Sequence, residues 1–588
     1  MNNQLTKKSL FKRTIPYMKK EKKLLILTIL LCLLVSVINA STPFVTKYIL
    51  DVILPAEEYN KIPMFLGIYG GLIIALAISR YLFQYVNNLC GMNIERRIRE
   101  DAIRKINYLK VDYFSLEPDG KIVAKITTDS QGVRTFYTTF FQIVNALMNI
   151  LIVYIGVIIL EPMLGLLILI IVPIITIWIT LYRKKVHSFY LDMRETGSRI
   201  TGKLNELISS TLIIQDFNQE ENMTDEYNQL TKRYVKNDRK ASTVNNIFGF
   251  ELLSLIKRLT EISLLLFLGF RSLKLGGTVV TIGLISAFVE NLDKMINPIN
   301  AIFQNLNELE DSIVAASRVY AFIDEENDVR IFDGSECEGL KGDIEFKNLS
   351  FAYVDDFNVL KNLSLEVKEG QMVGIVGHTG SGKSTLMNLL LQFNDYQSGQ
   401  ILIDGKEINQ YNKASYRKDI GIVLQNPAIF EGTLKSNITM NNEYSDEEVI
   451  NTINLIGASH LLEKSELGIN MPISFKGENL SLGEKQLISF ARILLRNPKI
   501  LVLDEVTANI DSDTESKIQH AMEIVSKNRT TIIIAHRLST IKNADKIIVL
   551  DHGNIIGEGK HSYLYNTCKI YKDMQDSQYH INEKSLEA

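Results

Sequence analysis

The chain has 588 residues, too long for one hydrophobic core at the usual ~100–200 residues per domain, so at least two or three folding units are expected. A net charge of −3 supplies no global field to hold nucleic acid, and a mean hydropathy of +0.06 beside 22% charged residues requires very apolar stretches averaged with an ordinary soluble part. Four scattered cysteines, Cys32, Cys90, Cys337 and Cys568, with no C-x-x-C pair, exclude a disulfide framework and a thiolate zinc site and fit a reducing compartment.

Residues 1–23 form a basic, amphipathic amino-terminal segment. Residues 24–46 carry no charge, and at ~1.5 Å per helical residue such a run crosses a hydrocarbon core of about 30 Å. It is too long for a signal peptide's apolar region and ends without a small-residue cleavage site. Further spans are predicted over 62–79, 135–160 and 163–182, the last two separated only by Glu161-Pro162, a tight turn at a membrane face. Residues 245–270 and 275–303 complete six spans. They carry Glu251, Lys257, Arg258 and Glu261, and Glu290, Asp293 and Lys294. Two readings of these charges stand: the helices line a polar pathway, or 251–261 lies below the bilayer in a helix reaching into the cytoplasm. Pro298 is expected to kink the sixth span.

Basic residues crowd positions 7–23, whereas the loop 51–61 holds Asp51, Glu57, Glu58 and Lys61, so the amino terminus is cytoplasmic. Six spans return the chain to the cytoplasm near Gln304. The segments 94–134 and 183–244 are then cytoplasmic and long enough to be helical extensions beyond the bilayer. The expected domains are a transmembrane domain over 24–312, a linker over 313–341, an α/β domain over 342–576 and a tail over 577–588. In the soluble half, β-branched runs at 371–376, 401–403, 420–424, 500–503, 530–534 and 547–550 alternate with helical stretches, which argues a largely parallel sheet.

The first chemical motif follows the strand ending at Val376: Gly377-His378-Thr379-Gly380-Ser381-Gly382-Lys383-Ser384-Thr385 matches G-x-x-x-x-G-K-[ST]. Glycines let backbone N–H groups wrap phosphates, Lys383 neutralises β- and γ-phosphate charge, and the Ser384 hydroxyl can ligate Mg²⁺. A second apolar strand ends in Asp504-Glu505, which places Asp504 for Mg²⁺ and leaves Glu505 to polarise an attacking water.

These motifs, fused behind six spans, resemble the ABC transporter family over nearly the whole chain, specifically an exporter half-transporter. The resemblance implies an all-α six-helix transmembrane domain followed by an α/β P-loop NTPase domain, with ATP and Mg²⁺ as cofactors. Tyr353 matches the aromatic that stacks on adenine, the alternative being a strand aromatic packed in the core. Gln425 looks like the glutamine that senses Mg²⁺ and the membrane domain. Thr507-Ala508-Asn509-Ile510-Asp511 resembles the loop that crosses to the partner subunit, and His536 the switch histidine that contacts the γ-phosphate.

The signature loop departs from the family's Leu-Ser-Gly-Gly-Gln: here it is Leu480-Ser481-Leu482-Gly483-Glu484. In the family it opens a helix facing ATP held by the other subunit. Leu482 adds a side chain where close backbone approach is wanted, and Glu484 puts a carboxylate near a polyanion, so both changes are expected to weaken that site. Phe475 stands where many exporters carry an acidic residue, which puts the usual signalling contact in doubt. A hydrolytic set of Lys383, Gln425, Asp504, Glu505 and His536 beside an altered signature points to a paralogous partner with an unaltered one. That partner would carry substitutions at its own positions equivalent to Glu505 and His536. The pattern resembles bacterial heterodimeric multidrug exporters; a homodimer that tolerates Leu482 and Glu484 is the alternative.

The expected function is ATP-driven export of drugs or other amphipaths across the plasma membrane by alternating access, with loops near 105–130 and 205–225 transmitting the motion. Phe136, Phe140, Phe141, Phe288, Glu290 and Asn291 are the expected lining of the substrate cavity. A lipid, peptide or siderophore exporter shares every motif, and an ATP-gated channel or regulator would keep the nucleotide site without pumping.

Overall fold

A computed structural model describes residues 7–244, 246–247, 251–275, 281–328, 331, 333–337, 339–353, 357–504, 512–535 and 537–586. Its contacts divide the chain into two units, one of residues 1–104 and 120–325, the other of 105–119 and 326–588.

The first unit is helical. Along this part of the chain run α1 (Lys7–Lys20), α2 (Lys22–Tyr48), α3 (Ile62–Ile106), α4 (Val111–Leu116), α5 (Asp119–Ile126), α6 (Thr128–Leu160), α7 (Pro162–Ser209), α8 (Thr211–Asp216), α9 (Glu220–Val244), α10 (Leu252–Leu275) and α11 (Ile282–Ile323). Of these, α4 falls in the second unit. The predicted spans fall on α2, α3, α6 and α7 and, over their residues 252–270 and 282–303, on α10 and α11. Three segments, Lys22–Ile53, Tyr59–Ile106 and Asp119–Leu160, are long and apolar enough by composition to cross a membrane among the described residues. The apolar stretch of α7 lies largely outside the residues whose side chains are described.

Glu161 has extended backbone (φ −161°, ψ 107°) between α6 and α7, and Pro162 opens α7, where its missing N–H costs no helical bond. The 45 residues of α3 and 48 of α7 reach roughly 68 and 72 Å, more than twice a ~30 Å hydrocarbon core. Pro298 denies the Lys294 carbonyl an N–H donor, yet α11 is assigned as one helix through it.

Among the described residues the most extensively packed helix pair is α6 with α11. At one end, a Cβ on Gly132 would collide with that of Ala315, and the Arg318 guanidinium donates to buried Asp129 from Nε at 2.8 Å. Further along, Phe288 and Leu292 of α11 pack with Val153 and Val157 of α6 and Ala40 of α2. The charges of α10 and α11 meet one another. Lys257 pairs with Asp293 and, at 3.6 Å, with Glu261. Ionisable groups at membrane depth need such partners. Helix α1 is tied down by Thr14 to Tyr320 (3.1 Å), by the Tyr17 hydroxyl donating to Asp101 (2.8 Å) and by Arg13 to Asp324.

Among the described residues the second unit carries twelve strands: β1 (Ile344–Ala352), β2 (Asn358–Val367), β3 (Met372–Gly377), β4 (Ser398–Ile403), β5 (Lys406–Glu407), β6 (Ile420–Val423), β7 (Gly432–Thr433), β8 (Pro472–Ile473), β9 (Ile500–Asp504), β10 (Thr530–Ile534), β11 (Lys546–Asp551) and β12 (Asn554–Gly559). The central sheet runs β12-β11-β3-β10-β9-β6, parallel except for β12. Its five parallel strands are mostly buried apolar runs because both faces are covered, while the edge strand β12 alternates exposed and half-buried positions. Ile532 and Ile534 enter one core with Val502, while Ile533 enters the other with Leu501 and Leu503. A smaller antiparallel sheet, β2-β1-β4-β5, packs beside it.

Residues 105–119 belong to this unit through specific bonds. Leu109 bridges Asn327, the Asp328 N–H donates to the Tyr108 carbonyl at 2.7 Å, and Asn394 of the second unit donates to Asp112 of α4. Asp328 in turn forms a buried ion pair with Lys413 at 2.7 Å.

Candidate functional site

The central sheet brings the sequence motifs to one edge. In a parallel sheet all strands end on the same side, and ligands bind outside those carboxyl ends. Strand β3 ends in the glycine-rich loop, β9 in Asp504, and β6 leads two residues on to Gln425. Register pairs Val423 with Leu503 and Ile534 with Asp504, so Gln425 and Asp504 follow neighbouring strand ends.

The loop itself is shaped for a polyanion. Gly382 adopts φ +103°, which side chains disfavour, and a Cβ there would sit 2.7 Å from Leu360 Cδ2. A Cβ on Gly377 would collide with the Leu550 carbonyl oxygen. Helix Lys383–Leu390 starts directly after Gly382, so its free N–H groups face the loop. Lys383 is 6% exposed, and its ammonium donates to the carbonyls of Gly377 (2.8 Å) and His378 (3.1 Å), across the cradle. Among the described residues the buried Ser381 hydroxyl has no partner, an unspent polar group at the same place. Thr385 accepts a long bond from the Tyr353 hydroxyl at 3.4 Å, while the Tyr353 ring is 55% exposed and stands edge-on to Phe351. Tyr353 is therefore a surface aromatic, free to cover a planar base, and not a core residue.

The signature loop caps helix Leu482–Arg496. Ser481 accepts from the Glu484 N–H at 3.2 Å, and the Glu484 carboxylate returns to the Ser481 N–H at 2.7 Å, a capping box. The same carboxylate accepts from Lys464 Nζ at 2.8 Å through both oxygens. Burial pushes the Glu484 carboxyl upward, but the Lys464 ammonium and the Ser481 N–H outweigh it and hold it below the usual carboxylate range. The cap is thus complete above the ordinary carboxyl value of 4.5 and is lost as pH falls through the lowered one.

This changes the electrostatic expectation for Glu484. Its charge is paired with Lys464 and the Ser481 N–H, so of the two departures in the loop the one left unneutralised is steric: the side chain of Leu482 at the first helical position. Lys464→Met and Glu484→Gln should be coupled. Each alone lowers thermal stability, and a double-mutant cycle returns about 1 kcal/mol, modest because Lys464 is 38% exposed. Additive losses would place the pair outside the cap's support.

Two residues not anticipated from sequence fasten the Gln425 loop to this helix. Gln486 donates to the carbonyls of Leu424 (3.0 Å) and Gln425 (2.9 Å), and Arg492 to Ala428 (2.7 Å) and Asn437 (2.6 Å). Phe475 is 62% exposed, with Lys476 over its ring at 5.5 Å. Glu505, the stretch Thr507, Ala508, Asn509, Ile510 and Asp511, and His536 lie outside the described residues.

In the helical unit, Phe136 and Phe141 are buried with Leu10 and Tyr320 around half-buried Phe140, and Phe288 is buried in the α2–α6–α11 core. Glu290 accepts from Lys294 (2.7 Å) and Thr42 (2.9 Å), and Asn291 donates to the Ala287 carbonyl (2.7 Å). A cavity of about 670 Å³ lies elsewhere, bounded by other residues of α2, α3, α6 and α11, and none of these six lines it.

A helical half with membrane-length apolar helices, followed in the chain by an α/β domain with a phosphate loop, defines a membrane transporter powered by nucleotide. Residues 25–291 match the ABC transporter transmembrane region and residues 360–508 the ABC transporter domain. The chain is 37% identical, over 89% of its length and 77% of the relative's, to the probable multidrug resistance ABC transporter ATP-binding/permease protein YheH of Bacillus subtilis. It is 33% identical to the putative ABC transporter ATP-binding protein exp8 of Streptococcus pneumoniae, covering 98% and 99% of the two chains. In fold it is similar to a bacterial Atm1-family ABC exporter with ATP bound, with a TM-score of 0.77 at 24% identity, covering 95% of this chain and 98% of that one. The chain belongs to the ABC transporter family, as an exporter-type half-transporter that binds ATP and couples its hydrolysis to transport.

Proposed function

We propose that this protein is one half of a heterodimeric exporter of amphipathic compounds, drugs among them, in the plasma membrane. The observation that carries the reading is a contrast within one chain: a phosphate loop and strand edge equipped for hydrolysis, beside a signature helix whose first residue is Leu482. Two copies would each present that side chain to ATP; a partner with glycine there would complete one site well. The multidrug resistance designation of the Bacillus relative favours drugs as cargo.

In the proposed chemistry Lys383 and His536 stabilise γ-phosphate charge, and Glu505 positions or activates the attacking water. Ser384, Gln425 and Asp504 offer hydroxyl, amide and carboxylate oxygens, a hard donor set that suits Mg²⁺, which when bound neutralises phosphate charge. Tyr353 covers the adenine. ATP draws two nucleotide domains together, α4 and α8 pass the motion to the spans, and hydrolysis resets them.

ATP turnover by the chain alone is compared with that of the chain co-expressed with a second half-transporter. The pair is expected to be faster by about tenfold, and Leu482→Gly to raise the lone chain by a similar factor, worth ~1.4 kcal/mol at the barrier. A lone chain as fast as the pair overturns the heterodimer. ATP-dependent drug uptake into everted vesicles separates pumping from gating.

A further inference from the structure

We infer that the cavity in the helical unit selects amphipaths carrying an anionic head group, a carboxylate, sulfonate or phosphate. This names the cargo class of the exporter proposed above and rests on that reading. Of the residues lining the cavity, seven are Asn or Gln, two are the cations Arg80 and Lys294, and none is acidic. The nearby carboxylate, Glu290, is spent on Lys294 (2.7 Å), Thr42 (2.9 Å) and Thr46 (3.4 Å). Lys294 also donates to the Asn39 carbonyl at 2.9 Å, so its charge is matched and its donors are used.

Arg80 is different. Among the described residues no acid pairs with it and no hydrogen bond engages it. Arg80 is exposed and borders the cavity, so its donors are available to a ligand there. Val35, Phe83, Ala146, Pro298 and Ala301 give the cavity apolar walls for a tail. A cationic amphipath would place its charge beside Arg80 and Lys294, where like charges repel. An anionic head gains a charge-assisted, two-pronged contact with the guanidinium instead.

The test uses the full chain with its co-purifying subunit in everted vesicles. Three fluorescent probes share one tail: dansyl-undecanoate, its methyl ester and its trimethylammonium counterpart. The expected result is a KM for the carboxylate about tenfold below the other two. Arg80→Gln raises the carboxylate's KM by about that factor and leaves the ester's alone, while Arg80→Lys keeps most of the preference. Should Arg80→Gln fail to fold, the wild-type ranking of the three probes decides. Equal KM values, or a preference for the ammonium probe, overturn the charge assignment and leave export standing. ATP hydrolysis with no uptake of any probe overturns the export reading and this inference together.

Discussion

Lys383→Ala lowers ATP turnover about 10²–10³-fold, the usual cost of deleting one preorganised donor to developing charge. It weakens nucleotide binding as well. The ammonium is already aimed across the loop, held by the Gly377 and His378 carbonyls in a site that leaves it 6% exposed. Nucleotide phosphates would exchange those two neutral acceptors for charged ones, which are stronger. Glu505→Gln separates the two effects: nucleotide still binds and the closed pair accumulates, while turnover falls by about 10²–10⁴, the range for a positioned general base. Nucleotide-analogue binding and phosphate release measured side by side check both variants. Wild-type turnover in either removes that residue from the chemistry.

Lys413→Met destabilises the second unit by about 3 kcal/mol, the low end for a broken buried pair, because Asp328 then keeps only the more distant Arg417 guanidinium. Lys413 and Asp328 are 5% and 9% exposed at the side chain and 2.7 Å apart, so water cannot take over when one is lost. Replacing both, with Asp328→Leu added to Lys413→Met, restores most of the loss, since apolar neighbours of similar size replace ion pairs well. Thermal unfolding of the detergent-solubilised protein reads the difference. A single variant melting with the wild type would mean that the pair is hydrated in solution.

The parallel strands and the phosphate loop were legible because their signals are local and exclusive. A run buried on both faces, such as Ile500–Leu503, has no polar position to confuse it, and the loop's glycines and Lys383 are contiguous. Strands β1 and β2 were not anticipated: one side is partly open to solvent, and Asn348 and Asn362, both at positive φ, interrupt the apolar alternation where the register shifts. The signature departure was visible, but its electrostatic meaning was not. That meaning depends on Lys464, twenty residues from Glu484 and reachable only once the cap has formed. Gln486 and Arg492 were missed for a related reason: on an amphipathic helix, polar residues read as the solvent face until the loop they grip is known. Sequence also cannot say which membrane aromatics are packed. Phe136, Phe141 and Phe288 fill helix contacts, whereas the cavity is bordered by amides that hydropathy passes over.

The inclusion of residues 105–119 in the second unit bears on how the protein is made. Leu109, Tyr108 and Asp112 leave the ribosome more than two hundred residues before their partners Asn327, Asp328 and Asn394 exist. The early segment must therefore wait, uncovered, until the carboxyl-terminal stretch emerges, a long-range closure of the kind that slows folding. A fragment beginning at Glu326 would lack that piece altogether, so a truncated ATPase unit is born with an open seam that chaperones or self-association would have to mask.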